Sequence, residues 1–145
     1  MFSKEEATNL REEFWTSFGK SFPRKWILYR TKIKGLSFKF DAGRKDLHVV
    51  IEINSNNNAK NELLFEQFQA LQSILTDCLP TVVYDDNYAL SSGKSVHWIY
   101  ISYPNKFSIY NKNTWRGAFL FMKEKMTILE EFFEDYKDFI EQANL

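Results

Sequence analysis

The fold is decided by residues 36–54, LSFKFDAGRKDLHVVIEIN, where apolar and polar side chains alternate along two short stretches. Every second side chain is apolar in residues 36–40 and again in residues 47–53, which is the period of a strand that buries one face. Between them, residues 41–44 supply the short polar residues and the glycine that a reversing chain tolerates. The pattern predicts a β-hairpin whose apolar face turns inward and whose other face exposes Lys39, Glu52 and Asn54 to water.

Helical signals stand on both sides of this hairpin. Ser3 and Glu6 have the spacing of a capping box, so a first helix is expected to begin there and to end near Gly19. A middle helix is expected to stop at Pro80. The buried face of this middle helix is marked by Leu64, Phe68, Leu71, Leu75 and Cys78, the cysteine serving as a small buried hydrophobe.

Further strands and a final helix complete the chain. Residues 26–29, 81–84 and 96–101 are β-branched, aromatic or otherwise apolar, which favours strands. The last helix is capped by Asn113 or Thr114 and runs without proline or glycine from Ala118 towards Ala143. We therefore predict one α+β domain over residues 1–145, in which a mostly antiparallel, curved sheet of about five strands is covered by an N-terminal, a middle and a long C-terminal helix.

The last helix has more apolar surface than packing on one sheet requires. The excess side chains are expected to meet either another element of the same chain, such as the first helix, or a second copy of the chain in a homodimer. One apolar stripe consists of Phe119, Met122, Met126, Leu129, Phe133, Tyr136 and Ile140, and a neighbouring stripe of Phe121, Ile128, Phe132 and Phe139.

Composition excludes several classes of protein. Only 5 glycines and 3 prolines, with 17% aromatic residues, argue against disorder and collagen-like repeats. No apolar run approaches the roughly 20 residues that span a bilayer, and the first residues lack the apolar stretch of a secretory signal, so we expect a cytoplasmic location without membrane contact. Cys78 is the only cysteine, which excludes an intrachain disulfide and a multi-cysteine metal site.

The balance of 19 basic and 19 acidic side chains hides an uneven distribution. Residues 20–48 carry nine basic side chains against two acidic ones, whereas residues 124–141 carry two basic against seven acidic. A basic segment interleaved with aromatic rings can neutralise phosphates and stack bases, although solvated strand lysines attracted to an acidic helix explain it as well. The candidate residues for binding nucleic acid or another partner are Arg24, Lys25, Trp26, Tyr29, Lys32, Lys34, Lys39 and Arg44.

Asp41 and Glu52 form a second constellation on the two hairpin strands. It resembles the metal-binding frame of restriction-endonuclease-like enzymes, in which two carboxylates hold a divalent cation and a lysine two positions beyond the second activates water. Here that lysine position holds Asn54, and a turn aspartate and an exposed strand glutamate are common without any metal. Asp41 and Glu52 are therefore candidate metal ligands in an incomplete catalytic frame.

Six stretches of the chain carry a family resemblance. They are residues 14–15 (FW), 22–29 (FPRKWILY), 32–35 (KIKG), 37–41 (SFKFD), 110–115 (YNKNTW) and 130–139 (EEFFEDYKDF). Together they resemble an uncharacterised bacterial family catalogued as domain of unknown function 4268, over nearly the whole chain. The resemblance implies no catalytic residues. In longer relatives a similar domain follows a restriction-endonuclease-like domain, which implies a nucleic-acid-related context by association alone.

Two functions remain open at this point. Because the chain has no Gly-rich phosphate loop and no nucleophile motif, the leading interpretation is a non-enzymatic binding or accessory module without a cofactor, whose partner is protein or nucleic acid. The alternative is a divergent nuclease that uses magnesium on Asp41 and Glu52. The order helix, hairpin, helix, strands favours this alternative through a distant restriction-endonuclease-like topology.

Overall fold

A computed structural model describes residues 2–144, and its first element is the predicted N-terminal helix. Helix α1 spans Lys4–Ser21. Glu6 N donates to Ser3 Oγ at 3.1 Å and Ser3 N donates to Glu6 Oε1 at 3.2 Å, so the predicted capping box is confirmed. The helix continues to Ser21, past Gly19, because an exposed glycine weakens a helix by only about 1 kcal/mol.

The predicted hairpin is confirmed and forms one end of an antiparallel sheet. Strand β1 spans Leu36–Ala42 and β2 spans Leu47–Ile53, with Leu36 opposite Ile53 and Ala42 opposite Leu47. Strands β3 (Val83–Ala89) and β4 (Ser95–Ser102) complete the order β1-β2-β4-β3. Each neighbouring pair is antiparallel, and β1 and β3 are the open edges of the sheet.

The fifth predicted strand, at residues 26–29, does not form. Leu28 has a left-handed backbone with φ of 50°, and Arg30 N donates to Ile27 O at 2.9 Å, which makes a turn. The Leu28 carbonyl accepts from Phe38 N at 2.9 Å, so the segment touches the outer edge of β1 at this one position without extending along it. Four consecutive apolar residues are compatible with a strand, but the turn prevents the series of backbone hydrogen bonds that would pair this segment with β1.

The middle helix is interrupted at Leu71. Helix α2 spans Asn58–Ala70 and α3 spans Gln72–Cys78. The predicted leucines and Phe68 are buried, but the expectation of a buried Cys78 is wrong, because this residue is exposed. Leu79 lies four residues after Leu75 and is 1% exposed, so it takes the buried position that the sequence pattern assigned to the cysteine.

The last helix, α4, spans Trp115–Glu141 and begins before the predicted Ala118. Thr114 holds the N-cap position, but its hydroxyl accepts from Ser108 N at 3.2 Å and donates to Asn111 O at 2.7 Å, so it does not cap the helix. Gly117 lies in the first turn, where an added Cβ would come within 2.3 Å of the Tyr103 hydroxyl. The glycine that limited the prediction therefore lies inside the helix, where any larger residue would have to displace the Tyr103 hydroxyl.

The large helices pack on one side of the sheet. On α4, Phe133 meets Phe38 of β1 at 5.3 Å between ring centres, and Phe132 meets Phe68 of α2 at 6.5 Å. Phe14 of α1 is fully buried in the same core. The sheet contributes Leu47, Val49, Ile51 and Ile53 from β2, each with no exposed surface.

Both apolar stripes of α4 are covered within the chain. Phe121 of the second stripe lies 5.1 Å from Tyr103, Phe132 is buried, and Ile128 and Phe139 are half-buried against the core. Internal packing, the first of the two expectations, accounts for this stripe. The homodimer through the C-terminal helix stays a prediction that no exposed stripe supports.

A buried carboxylate fastens the segment after α1 to the last helix. Glu130 is 4% exposed, and its Oε1 accepts from the Arg24 guanidinium at 2.6 Å while its Oε2 accepts from Ile27 N at 2.6 Å. Arg24 also lies over the Trp26 ring, 4.5 Å from its centre. Both oxygens of the carboxylate are therefore satisfied, as burial of a charge requires.

Replacing Glu130 with alanine is expected to lower the free energy of unfolding by about 2 kcal/mol, because the Ile27 amide loses its acceptor and the Arg24 guanidinium its partner. Urea unfolding followed by circular dichroism measures this loss. Glu131→Ala removes the exposed neighbouring carboxylate and is the matched control, with an expected change below about 0.5 kcal/mol. Equal losses in the two variants would contradict a specific role for Glu130.

Candidate functional site

One face of the sheet carries no helix, and we call it the uncovered face. It is formed by the strand side chains that point away from the helices. They are Lys39 and Asp41 on β1, His48, Val50 and Glu52 on β2, Asp85 and Tyr88 on β3, and Val96, Trp98 and Tyr100 on β4. Val50, Val96 and Trp98 form their own small buried cluster, to which Tyr88, Leu90 and Tyr100 add half-buried surface. This cluster contains residues of the strands and of the β3–β4 turn.

Glu52 lies near the end of β2 on the uncovered face and is 8% exposed, so the expectation that it faces water is wrong. Glu52 pairs with Trp98 across β2 and β4, and Trp98 Nε1 donates to Glu52 Oε1 at 2.9 Å. Lys39 Nζ donates to the same oxygen at 3.0 Å. Burial acts to raise the pKa of Glu52, but the hydrogen bonds from Trp98 and Lys39 outweigh it and hold the pKa below its ordinary value of 4.5.

The structure does not bring Asp41 and Glu52 together. Asp41 pairs with His48 and Glu52 pairs with Ser37, so their backbone positions are four residues apart along the strand direction, or roughly 13 Å at the rise of a strand. Among the residues described, no three of His, Cys, Asp and Glu are grouped closely enough to hold a metal ion. The geometry thus gives the magnesium hypothesis no support, and a nuclease with Asp41 and Glu52 as metal ligands stays a prediction.

Asp41 has surroundings unlike those of Glu52. Burial raises the pKa of Asp41 above its ordinary value of 3.8, and Asp46 adds to this, while His48 and Lys39 act in the opposite direction. His48 Nδ1 lies 3.0 Å from Ser102 Oγ, and its Nε2 lies 3.6 Å from Asp46. At this end of the uncovered face, the carboxylates of Asp41 and Asp46 therefore lie near the imidazole of His48.

A bulge in β3 brings Tyr88 onto the uncovered face. Asp85 pairs with Trp98 and Tyr88 pairs with Val96, so three steps on β3 match two on β4. Asn87 N donates to Asp85 Oδ1 at 2.9 Å inside the bulge. The extra residue turns Tyr88 over Trp98, with ring centres 3.7 Å apart and 8° between the planes. Bulges that redirect a side chain in this way are common beside functional sites.

The charge of the uncovered face is negative. On its strands one cation, Lys39, stands against the carboxylates of Asp41, Glu52 and Asp85, and it is paired with Glu52. Asp46 of the hairpin turn adds a carboxylate beside this face, 3.6 Å from His48. Burial raises the pKa of the Tyr88 hydroxyl, and the nearby Asp41 and Asp46 carboxylates raise it further. A cation is therefore favoured at this face and an anion is repelled.

The predicted basic and aromatic binding residues do not form one surface. Trp26 is buried in the core beside Phe18, and Arg24 is held by Glu130. Tyr29 is 79% exposed and lies with Lys39 along a groove at the β1 edge.

The remaining four candidates are scattered further. Arg44, in the hairpin turn, lies 6.0 Å from the ring centre of Tyr110, on the approach to α4. Lys34 lines a different cleft at the start of α2. Lys25 and Lys32 are exposed. The basic side chains of residues 20–48 are thus distributed over several separate parts of the surface.

The sequence reasoning missed the contributions of β3 and β4 to the uncovered face. Trp98 and Tyr100 were recognised as strand residues without a role, and Tyr88 fell outside the predicted strands. The alternation along β4 was a usable signal. Ile99 and Ile101 point into the core, so Trp98 and Tyr100 must point to the opposite face of the sheet.

Stability is expected to depend on Glu52 at acid pH. Because the folded-state pKa is depressed, the ionised carboxylate stabilises the fold above its unfolded-state pKa, and this contribution is lost as the pH falls through the folded-state value. Glu52→Gln should lower the free energy of unfolding by about 1 kcal/mol at neutral pH and by less as the pH falls below the ordinary value. Urea unfolding over a pH series tests this. The exposed Glu66→Gln is the control, and parallel pH profiles for the two variants would refute the assignment.

Comparison with known proteins identifies a family and no close counterpart. In the described part of the chain, no helix is both long and apolar enough to cross a membrane. Searches of curated proteins and of solved structures returned no match, so the distant endonuclease-like topology stays a prediction. The family model described as a domain of unknown function, DUF4268, matches residues 10–137, which include every strand and most of α4. The chain therefore belongs to the DUF4268 family, as a DUF4268 domain that fills nearly the whole sequence.

Proposed function

We propose that this protein is a binding module whose uncovered face holds a basic segment of another protein. The observation that carries the proposal is a sheet face without a helix, on which the half-exposed rings of Tyr88 and Tyr100 lie among an excess of carboxylates. Aromatic rings offer large contact area with few rotatable bonds, and their faces attract lysine and arginine side chains. Aspartates beside the rings supply the opposite charge.

The rings of the uncovered face are ordered before any partner binds. Trp98 is fixed by the bond to Glu52 and by the stacked Tyr88, and Tyr100 lies 5.7 Å from Trp98 in an edge contact. Side chains that are already fixed lose little conformational entropy on association. The rings also cover Val50 of β2, and the parts of Tyr88 and Tyr100 that stay exposed form a fixed surface, which supports recognition of a partner.

A protein partner is favoured over nucleic acid. Binding to a phosphate backbone depends on a continuous track of basic side chains, and the predicted ones are divided among several surfaces. At the uncovered face itself, Asp41, Asp46 and Asp85 would repel phosphates near the rings that bases would stack on.

The test uses a fluorescein-labelled lysine-rich peptide and the ¹⁵N-labelled protein. Binding is expected to shift the amide and indole signals of β3 and β4, including Trp98, and to weaken with added salt. The double variant Asp46→Asn and Asp85→Asn should weaken binding by about tenfold, because each charge pair with the peptide contributes up to about 1 kcal/mol to the binding free energy. Asp77→Asn changes an exposed aspartate on α3 and should leave the affinity unchanged.

An aromatic pair of variants separates ring contact from charge. Tyr100→Ala is expected to weaken peptide binding by about tenfold, because it removes a half-buried ring from the uncovered face. Tyr29→Ala removes a more exposed tyrosine at the β1 edge and serves as the control. Binding that is insensitive to Tyr100→Ala and to the aspartate variants would refute the uncovered face as the binding surface.

A parallel arm uses a labelled single-stranded oligonucleotide with and without magnesium. Salt-sensitive binding of the oligonucleotide in the absence of peptide binding would contradict the proposal and indicate a nucleic-acid partner. Cleavage that requires magnesium and is abolished by Glu52→Gln would instead establish the nuclease alternative.

A further inference from the structure

The two edges of the sheet differ in how far the rest of the chain closes them. At the β1 edge, the outward-facing N–H of Phe38 donates to the Leu28 carbonyl at 2.9 Å. Just beyond the end of β1, the Gly43 carbonyl accepts from Ile109 N at 3.1 Å. Two other segments of the chain thus lie against this edge, as is common for edge strands that would otherwise pair with another chain.

The β3 edge presents a backbone donor and acceptor that face outward. Tyr103, directly after β4, donates to the Leu47 carbonyl of β2, so odd-numbered residues of β4 bond to β2 and even-numbered ones bond to β3. The partners of the even-numbered residues, Val83 and Asp85, therefore bond inward. Tyr84 lies between them and directs its N–H and C=O away from the sheet. No residue in the described part of the chain bonds to these two groups.

The backbone at Tyr84 is held in place by its own side chain. The Tyr84 hydroxyl donates to the Phe68 carbonyl of α2 at 3.1 Å, and the ring lies 6.1 Å from the ring centre of Phe65. Burial raises the pKa of Tyr84 to about 12, so the hydroxyl keeps its proton and remains a donor. A partner would therefore meet a preformed edge, and little conformational entropy would be lost there.

The charges along β3 select the kind of strand that can lie beside it. Asp85 and Asp86 follow each other at the bulge, and Asp86 is exposed. A bulge and adjacent charges are devices that keep an edge strand from pairing with a neutral strand. The same carboxylates attract lysine and arginine side chains and repel acidic ones. Lys94 lines a cavity together with Asp86 and offsets part of this charge. The β3 edge therefore favours a basic strand.

We propose that the basic segment of the partner protein binds in an extended conformation, as an antiparallel fifth strand along β3. Its central residue exchanges both backbone hydrogen bonds with Tyr84. The two neighbours of that residue direct their side chains to the uncovered face, beside Val83 and Asp85, so lysines at alternate positions reach the carboxylate. An antiparallel strand continues the pattern of the sheet, in which each neighbouring pair is antiparallel. This inference rests on the proposed function and specifies how the partner binds.

The first experiment compares three fluorescein-labelled peptides that share one sequence, an alternating repeat of lysine and threonine. The first is unmodified, the second is N-methylated at every threonine, and the third is N-methylated at every lysine. With the lysine side chains on the uncovered face, the threonine N–H groups face β3 and the lysine N–H groups face away. Methylation at threonine is expected to weaken binding by about tenfold, because it removes donors and places methyl groups against β3. Methylation at lysine is the matched control and should change the affinity by less than about twofold.

The second experiment measures amide hydrogen exchange of the protein with and without the unmodified peptide. Exchange at Tyr84 is expected to slow by about tenfold when the free peptide is at ten times its Kd, because the amide gains an acceptor in the complex. The Phe40 amide is the control. It lies two residues after Phe38 on β1 and so faces the other edge of the sheet, where exchange should not change.

The outcomes separate this inference from the proposed function. Equal affinity of all three peptides would overturn the added strand and leave peptide binding by the uncovered face intact. Equal weakening by both methylations, or a larger effect at lysine, would overturn the antiparallel pairing with Tyr84. Slower exchange at Phe40 in place of Tyr84 would do the same, because the partner would then occupy the β1 edge. Failure of all three peptides to bind at low salt would overturn the proposed function and this inference together.

Discussion

The hydrogen bond from the Trp98 indole to the Glu52 carboxylate organises the face of the sheet that the helices leave free. Its geometry follows from strand register, because β2 and β4 place these two residues directly opposite each other. Lys39 reaches the same oxygen from β1, and Tyr88 of β3 stacks on the indole. Side chains from all four strands thus depend on one carboxylate, which stays ionised in a buried position because its partners outweigh the penalty of burial.

The distribution of helices explains why such an arrangement is needed. α1, α2 and α4 all contribute to the core on one side of the sheet, so the other side must exclude water from the middle of β2 with strand side chains alone. Val50, in the middle of β2, has no exposed surface although no helix residue belongs to its cluster. Bulky rings on β3 and β4 perform the covering that helices provide elsewhere. Their outer edges stay in contact with solvent, and a partner can meet them there.

Local patterns in the sequence were sufficient for much of the fold. The period of two in residues 36–53 predicts the hairpin, the Ser3–Glu6 spacing predicts the start of α1, and the apolar stripes predict that α4 is a long buried helix. These signals depend on neighbours close in the chain, for which periodicity and capping are informative. The same reasoning fails for residues 26–29, whose conformation is set by Glu130, about a hundred residues later.

The candidate site was harder to predict for the same reason. Alternation correctly assigned Glu52 to the face opposite the core, but its burial depends on Trp98, 46 residues away, and on a bulge that redirects Tyr88. Asp41 and Glu52 lie on one face, yet the antiparallel register separates them, which a one-dimensional pattern does not reveal. His97 occupied a predicted strand position, but its unpaired nitrogen becomes visible only when Phe65 and Glu62 of α2 are placed against it.

The balance of charge acquires a different meaning in three dimensions. The basic segment and the acidic last helix partly neutralise each other through Arg24 and Glu130, in a contact that serves the fold. The remaining charges are distributed unevenly: carboxylates lie on and beside the uncovered face, and Lys34, Lys60 and Lys94 line one cavity where β2 ends and α2 begins. Since a cation attracted to the first surface is repelled by the second, one small ligand does not suit both. A neutral sequence is therefore compatible with surfaces of opposite charge on one small domain.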